Sequence, residues 1–372
     1  MFLGFFSKKH IIKGVIMNKI IFANVKQEKK VEFPEELIFG KTFTTHVLEM
    51  DYDSEKGGWQ NAVIKKHENI SLSPAALVFH YGQSIFEGLK AYKQIDGKIS
   101  LFRPSKNLER LNRSAVKMCI PEIDIDFVMK ALLELINIDR DWVPNKPGHS
   151  LYIRPVVFAT DPMVGVKAGD KYKFLILLSP VGPYYPGGFK PVPIMVTDKY
   201  VRAVRGGVGE CKTAGNYAAS LMAQREAKKL GFSQVLYLDA LHQKCIEEVG
   251  TMNMFVQFKD EIATPRLSGT ILPGITRMSV IEILKDWGYK VSERDIELKE
   301  IFDGYNNGNL VELFGTGTAA VISSISKLKY GETEINFSDE HAGELGTKLY
   351  KALTDIQYGK TEDKYSWNVL IK

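Results

Sequence analysis

The stretch of sequence that most constrains the fold is residues 206–217, which read GGVGECKTAGNY. It sets Lys212 between two glycine-bearing runs, and Tyr217 follows on the same stretch. Glycine lets the backbone approach a ligand closely, so a lysine in this setting can be held at the floor of a cleft. A lysine that loses its proton forms an imine with an aldehyde cofactor, whereas a charged lysine grips a phosphate. The rest of the chain must decide between these two chemistries.

The phosphate-binding alternative rests on the similarity of residues 206–213 to the loop pattern G-x-x-x-x-G-K-[ST]. Cys211 stands where that pattern requires a glycine, whose freedom lets the loop wrap the phosphates. Gly215 and Asn216 also interrupt the helix that should begin at the lysine. A P-loop-like nucleotide-binding protein is therefore the weaker alternative.

The composition is that of an ordinary globular protein, with 45% hydrophobic and 25% charged residues. The 372 residues exceed what one hydrophobic core usually fills, so we expect two domains. Three of the five net positive charges come from Lys8, Lys9 and Lys13 in an acid-free leading segment, so the charge indicates no nucleic-acid partner.

Residues 1–16 are too interrupted by lysines for a membrane helix, and they lack a clear cleavage site. They are either a leader, which leaves organellar targeting open, or an extension upstream of a true start at Met17. Cys119, Cys211 and Cys245 are widely spaced and odd in number, which argues against a disulfide scaffold or a cysteine-zinc site. We therefore expect a cytoplasmic protein without a metal or membrane partner.

Strand and helix patterns together predict an α+β or α/β fold. An N-terminal α+β domain would span residues 17–179, and the Pro/Gly-rich residues 180–190 would connect it to a C-terminal domain of residues 191–372. In the first domain the apolar spacing predicts helices over residues 105–119 and 127–138. In the second domain the patterns predict strands at 192–197, 234–238, 252–258 and 321–324, a helix at 216–230 ended by Gly231, and a hairpin turn at 259–261.

Two turns rich in glycine are candidate anion sites. Pro273-Gly274 leads into a helix, whose free N–H groups favour a phosphate, although an ordinary loop-to-helix junction has the same pattern. Residues 313–320 alternate Gly and Thr, which is typical either of a second phosphate cradle or of a tight turn. Neither turn decides between the alternatives alone.

Two further groups match what a pyridine-based aldehyde cofactor requires. Glu247 and Glu248 precede a strand, and a carboxylate about 4 Å from a pyridinium is worth roughly 4 kcal/mol, which keeps the ring nitrogen protonated. Strand geometry lets only one of them face the cofactor. Tyr152 and Arg154 alternate onto one face of a strand, where the arginine is either a carboxylate receptor or an edge-strand cation in water.

Several ordered motifs together resemble one family. They are Phe86-Glu87-Gly88, Tyr152-Ile153-Arg154-Pro155, residues 207–217, residues 248–253, Leu272-Pro273-Gly274 with Thr276-Arg277, and residues 314–319. The set resembles the branched-chain amino acid aminotransferases, which are class IV pyridoxal-phosphate enzymes of fold type IV. The resemblance runs from about residue 39 to residue 324. It implies a smaller N-terminal α+β domain and a larger C-terminal domain built around a β-barrel-like sheet with helices.

The resemblance assigns cofactor-binding roles residue by residue. Lys212 would form the imine with pyridoxal 5′-phosphate, Tyr217 would bond its phenolic oxygen, and Glu248 rather than Glu247 would meet the ring nitrogen. The phosphate would be held by Arg110, by the backbone of Ile275 and Thr276, and by Thr318.

The resemblance also implies a substrate pocket and a homodimer. The pocket residues would be Phe43, Tyr81, Phe86, Tyr152, Arg154, Thr251 and Ala319, with Val166 reaching into the neighbouring subunit's site. The implied reaction is reversible transfer of the amino group of L-leucine, L-isoleucine or L-valine to 2-oxoglutarate. A D-amino acid aminotransferase or an aminodeoxychorismate lyase is the alternative within the same fold type.

Overall fold

The first of two large sheets comes mostly from the first half of the chain. The computed structural model describes residues 19–26, 31–184 and 189–371, and within these ranges the first sheet has nine strands. They are β1 (Ile21–Ala23), β2 (His46–Asp53), β3 (Gly58–Lys66), β4 (Ser84–Phe86), β5 (Leu89–Lys93), β6 (Ile99–Phe102), β7 (Ser150–Ala159), β8 (Lys171–Val181) and β18 (Asn368–Ile371). Their order is β1–β3–β2–β8–β7–β5–β6–β18, and β4 pairs with β7.

Two amphipathic helices share a hydrophobic core with this sheet. After the short α1 (Leu77–Tyr81) come α2 (Pro104–Lys117) and α3 (Ile125–Ile138). Proline suits the first position of α2 because its missing N–H would have no partner there. The Asp124 carboxylate caps α3 by accepting the N–H of Phe127 at 3.0 Å. The predicted helices over residues 105–119 and 127–138 are therefore confirmed to within two residues at each end.

The second sheet lies in the other half of the chain and closes on itself. Its strands are β9 (Val192–Thr197), β10 (Gln234–Leu238), β11 (Ile246–Val249), β12 (Met252–Phe258), β13 (Ile262–Pro265), β14 (Val291–Arg294), β15 (Leu310–Gly317), β16 (Val321–Tyr330) and β17 (Thr333–Asn336). Six of them form a ring in the order β11–β10–β9–β16–β15–β12, because β12 also pairs with β11. This ring is the predicted barrel-like sheet, and closure removes the unpaired edges of these six strands.

Five helices accompany the barrel in the described part of the chain. They are α4 (Ala214–Ala218), α5 (Leu221–Lys229), α6 (Ile275–Asp286), α7 (Leu298–Asn306) and α8 (Glu344–Gln357). The prediction of one helix over residues 216–230 is wrong, since the chain breaks between α4 and α5. The Ser220 hydroxyl donates to the Tyr217 carbonyl at 2.8 Å, a local bond of the kind that competes with helical pairing.

A shared core joins the two halves of the molecule. Tyr92 and Phe102 of the first sheet pack in one cluster with Phe255 and Phe314 of the barrel and with residues of α6 and α8. The C-terminal strand β18 also returns to pair with β6. The division at residues 180–190 stays a prediction: its first residues lie in β8, and residues 185–188 are outside the described ranges, as are residues 1–16. None of the described helices is long and apolar enough to cross a membrane.

Candidate active site

A cavity of about 450 Å³ lies where the first sheet meets the barrel. Of the fifteen residues predicted for the site, eleven line it: Phe86, Arg110, Tyr152, Arg154, Lys212, Tyr217, Thr251, Ile275, Thr276, Thr318 and Ala319. These residues come from strands, helices and turns that are far apart in the sequence. The fold therefore gathers most of the predicted site around one cleft.

The Lys212 backbone is held at this cavity by two hydrogen bonds to the first half of the chain. Its backbone N–H donates to the Ser114 hydroxyl at 3.1 Å, and its carbonyl accepts the N–H of Phe86 at 2.9 Å. The glycine requirement of the loop is clear at Gly209, where a Cβ atom would lie 2.5 Å from both the Ala203 Cβ and the Thr270 carbonyl oxygen. The backbone contacts thus fix the loop, and the amine projects into the cavity.

The electrostatic surroundings make the Lys212 amine easier to deprotonate. Burial, followed by the cationic Arg110, lowers the pKa of Lys212 to about 8, and Glu87 opposes the shift. The amine lies 2.8 Å from the Tyr217 hydroxyl. Burial raises the pKa of Tyr217 to about 12, so the phenol stays protonated near neutral pH. The pair offers one titratable amine beside one O–H group.

Glu248 lies just behind the cavity wall. Its Oε1 accepts the Leu272 N–H at 2.8 Å and the Asn253 side-chain amide at 3.2 Å, and both of those residues line the cavity. Its Oε2 is 2.5 Å from Nε of Arg202. Burial raises the pKa of Glu248, and the Arg202 guanidinium opposes that shift. The donors around this carboxylate favour its charged form.

The neighbouring Glu247 belongs to a separate environment, as the alternation of a strand requires. It accepts the Thr270 hydroxyl at 2.5 Å, and it lines a different cavity from the one at Lys212. Burial raises its pKa to about 7. Of the two acids, Glu248 is thus the one beside the residues that line the Lys212 cavity.

One end of the cavity is a ready anion site. Helix α6 begins there, and its N-cap is Gly274, which has no side chain to cap the first N–H groups at Ile275 and Thr276. A Cβ atom on Gly274 would lie 1.9 Å from Oδ1 of Asn253, so the close approach requires glycine. The turn after β15 adds Thr318, and the buried Oγ1 of Thr316 has no hydrogen-bond partner among the residues that the structure describes. These donors suit a phosphate.

Arg110 reaches the same end of the cavity through a buried ion pair that the sequence did not reveal. Its Nε and Nη2 donate to the Glu87 carboxylate at 2.7 and 2.8 Å, and its Nη1 donates to the Pro273 carbonyl at 3.0 Å. Asn107 donates to the same carboxylate at 2.8 Å. An arginine has five N–H groups, so two remain for an anion. The Phe-Glu-Gly motif held the signal, but nothing in it pointed to Arg110.

Aromatic rings and one cation form a further part of the cavity wall. The Arg154 guanidinium lies 4.6 Å from the centroid of the Phe86 ring and donates to the Tyr152 hydroxyl at 3.0 Å. The predicted placement of Tyr152 and Arg154 on one face of β7 is therefore correct. Phe39, which also lines the cavity and meets Tyr152 edge-on at 4.7 Å between ring centroids, was not expected there.

Three predicted substrate residues do not line this cavity within a single chain. Phe43 is partly exposed against His67, with 5.3 Å between the ring centroids. Tyr81 donates through its hydroxyl to the Val164 carbonyl at 2.6 Å, and Val166 is 84% exposed. Their assigned contact with substrate stays a prediction.

Comparison with known proteins gives a consistent result. The profile of the family described as amino-transferase class IV matches residues 84–328. The chain is 52% identical over 334 residues to branched-chain-amino-acid aminotransferase 2 of Bacillus subtilis strain 168, with coverage of 90% of this chain and 92% of that protein.

Solved structures agree on the fold. The branched-chain amino acid aminotransferase of Escherichia coli has a TM-score of 0.74 and 25% identity, over 88% of this chain and 100% of that chain. The branched-chain amino acid aminotransferase of Thermobaculum terrenum, solved in its PLP-bound form, has a TM-score of 0.72 and 20% identity, over 89% and 100%. These likenesses confirm the predicted fold class.

Proposed function

The chain belongs to the class IV aminotransferases, and we propose that it is a branched-chain amino acid aminotransferase with pyridoxal 5′-phosphate as its cofactor. It transfers the amino group of L-leucine, L-isoleucine or L-valine reversibly to 2-oxoglutarate, giving the branched 2-oxo acid and L-glutamate. The observation that carries the proposal is the amine of Lys212, which lies 2.8 Å from the Tyr217 hydroxyl in a cavity backed by Glu248.

The donors and acceptors around the cavity fit pyridoxal 5′-phosphate. An aldehyde needs an amine of lowered pKa, and Lys212 has one near 8. A phosphate needs N–H and O–H donors. The start of α6, the two further N–H groups of Arg110 and the Thr318 hydroxyl supply them, as does Oγ1 of Thr316, which has no partner within the described ranges. A pyridine nitrogen needs a carboxylate, and Glu248 lies behind Asn253 and Leu272.

Lys212 and Tyr217 have different roles beside the reacting atoms. When bound, the cofactor takes up the amino group and delocalises the electrons released at the substrate's α-carbon. Lys212 moves the proton at that α-carbon, because its pKa of about 8 keeps a useful fraction of the amine neutral near neutral pH. Tyr217 keeps its proton and donates a hydrogen bond from its hydroxyl.

The aromatic rings and Arg154 at the cavity orient two kinds of substrate. Phe86 and Tyr152 offer an apolar surface for a branched side chain. Arg154, which lies against both rings, is able to pair with the second carboxylate of 2-oxoglutarate or glutamate. The pocket therefore accepts an apolar and an acidic side chain in turn.

The chain acts as a homodimer in this proposal. A single chain exposes four large apolar residues in this region, Phe79, Tyr81, Val164 and Val166. Tyr81 and Val164 lie together, because the Tyr81 hydroxyl donates to the Val164 carbonyl. Val166 is the residue expected to reach a neighbouring site. A cytoplasmic location is consistent with Cys119, Cys211 and Cys245 all being free thiols. Light scattering of the purified protein tests the dimer.

The activity is tested by incubating the cofactor-loaded protein with 2-oxoglutarate and either L-leucine or D-alanine. Glutamate formed from L-leucine and not from D-alanine supports the proposal. Glutamate formed only from D-alanine would assign the chain to another class IV activity. So would pyruvate released in a separate incubation with aminodeoxychorismate. The Lys212→Ala variant is the control, and it should form no glutamate.

A further inference from the structure

Lys90 is a buried lysine that the proposed reaction does not use. It lies on β5, where it pairs across the sheet with Tyr152, and only 8% of it is exposed. Its ammonium group donates to the carbonyl oxygen of Ala319 at 2.8 Å. That bond joins the first sheet to the barrel, because Ala319 belongs to the turn between β15 and β16.

The position of Lys90 places a cation behind the anion site. Lys90 lines a small internal cavity together with Ile275, Thr276 and Thr318, the residues expected to hold the cofactor phosphate. Burial lowers the pKa of Lys90 to about 8, and none of the described carboxylates forms an ion pair with it. A buried ammonium without an acidic partner is costly unless it serves another group.

The turn that Lys90 contacts is a strained one. Strands β15 and β16 are connected by residues 318–320, which we call the 318–320 turn. Gly317 and Val321, on either side of it, pair across the hairpin. Val321, the first residue after the turn, takes the left-handed conformation with φ of 64°, which favours glycine, although the Val321 side chain is β-branched. A residue of this kind persists only where its surroundings hold it.

We propose that Lys90 is a positioning residue for the 318–320 turn. Its hydrogen bond to the Ala319 carbonyl opposes the strain at Val321 and so fixes Thr318 and the backbone N–H groups of the turn at the cavity. The inference rests on the proposed function in one respect, that the anion bound at this turn is the cofactor phosphate. Lys90 itself does not touch the reacting atoms.

The test measures the affinity of the apoprotein for pyridoxamine 5′-phosphate in matched variants. Lys90→Met should raise the dissociation constant roughly tenfold, the effect of losing one charge-assisted hydrogen bond. Lys93→Met is the control, since Lys93 points to the opposite face of the same strand, and it should leave the constant unchanged. Val321→Gly should recover most of the loss in the Lys90→Met background and change little in the unaltered protein.

An unchanged dissociation constant in Lys90→Met, or an equal rise in Lys93→Met, would overturn the proposal. If Val321→Gly changed the dissociation constant equally in both backgrounds, the proposal would be overturned as well. The strain at Val321 and the Lys90–Ala319 hydrogen bond would then be independent. If Lys90→Met does not fold, Lys90→Gln replaces it. Glutamine keeps an N–H donor on a shorter side chain, so the dissociation constant should rise less than in Lys90→Met. An unchanged dissociation constant would contradict the proposal. Failure of the unaltered enzyme to transaminate L-leucine rejects the proposed function separately, since binding of pyridoxamine 5′-phosphate does not depend on the amino acid used.

Discussion

Arg202 and Glu248 form a buried ion pair, with Nε 2.5 Å from Oε2 and side chains that are 8% and 3% exposed. The same guanidinium donates through Nη1 to the carbonyl of Gly209 at 3.1 Å and to that of Thr270 at 2.6 Å. One arginine therefore ties the Lys212 loop to the acid expected at the cofactor's ring nitrogen. Loss of this arginine should disturb both.

Replacing Arg202 with methionine should lower kcat for L-leucine by about 10- to 100-fold, the range expected for a lost hydrogen bond to a charged group. The reason is that the Arg202 cation opposes the rise in the pKa of buried Glu248. Steady-state kinetics and the absorbance of the bound cofactor across pH measure the effect. The exposed Arg205→Met is the control. Unchanged kcat and an unchanged spectrum in Arg202→Met would contradict this role.

Glu87→Gln should destabilise the apoprotein by about 3 kcal/mol, because it leaves the Arg110 cation buried without its partner. Inorganic phosphate should restore more stability to this variant than to the unaltered protein, since the anion then compensates Arg110. Urea unfolding with and without phosphate measures both effects. Glu109→Gln, which breaks a largely exposed pair with Lys106, should change stability little. Similar losses in the two variants would refute the prediction.

Lys212→Met should stabilise the apoprotein in a pH-dependent way. Burial lowers the pKa of Lys212 from 10.5 to about 8, so the folded state disfavours the proton that the unfolded state binds. The penalty is complete below about pH 8 and fades as the pH rises towards 10.5. The variant should therefore gain about 3 kcal/mol at pH 7, less at pH 9.5.

Denaturant unfolding at the two pH values measures that gain, and the exposed Lys66→Met should give no such trend. A Lys212→Met protein no more stable than the unaltered one at pH 7 would show that the amine is not destabilised by burial.

Arg154→Gln should raise the KM for 2-oxoglutarate more than the KM for L-leucine. Arg154 lines the cavity 4.6 Å from the Phe86 ring centroid, and none of the described carboxylates forms an ion pair with it, which leaves its guanidinium available to a second carboxylate. Tyr152→Phe removes only the hydroxyl that Arg154 contacts and should have the smaller effect. Equal rises in KM for the two substrates would reject the role of Arg154 in binding the second carboxylate.

Local sequence patterns were enough to predict much of the fold. The apolar spacing at Leu108, Leu111 and Ala115 matches the buried face of α2, and β9, β10 and β12 have the predicted bounds. The closed barrel came from family resemblance alone, because closure depends on pairing between strands distant in sequence, such as β9 with β16. The break between α4 and α5 was missed; at that point the Ser220 hydroxyl bonds to the Tyr217 carbonyl, a local interaction that residue spacing does not reveal.

The residues of the candidate site also fall into those that a local motif predicts and those that it does not. Lys212 and Tyr217 share one glycine-bearing loop, so a short motif reveals both. Glu87 and Arg202 were missed because their partners, Arg110 and Glu248, are far away in the chain and no local pattern joins them. Only the fold brings such pairs together, and both pairs support residues that the motifs did identify.

The central claim is that Lys212 is the amine that binds pyridoxal 5′-phosphate. The most direct measurement is borohydride reduction of the cofactor-loaded protein, followed by proteolysis and mass spectrometry of the peptides. We predict one pyridoxyl group, attached to Nζ of Lys212, and the loss of cofactor absorbance that accompanies reduction. A pyridoxyl group on another lysine, or none on Lys212, would contradict the account.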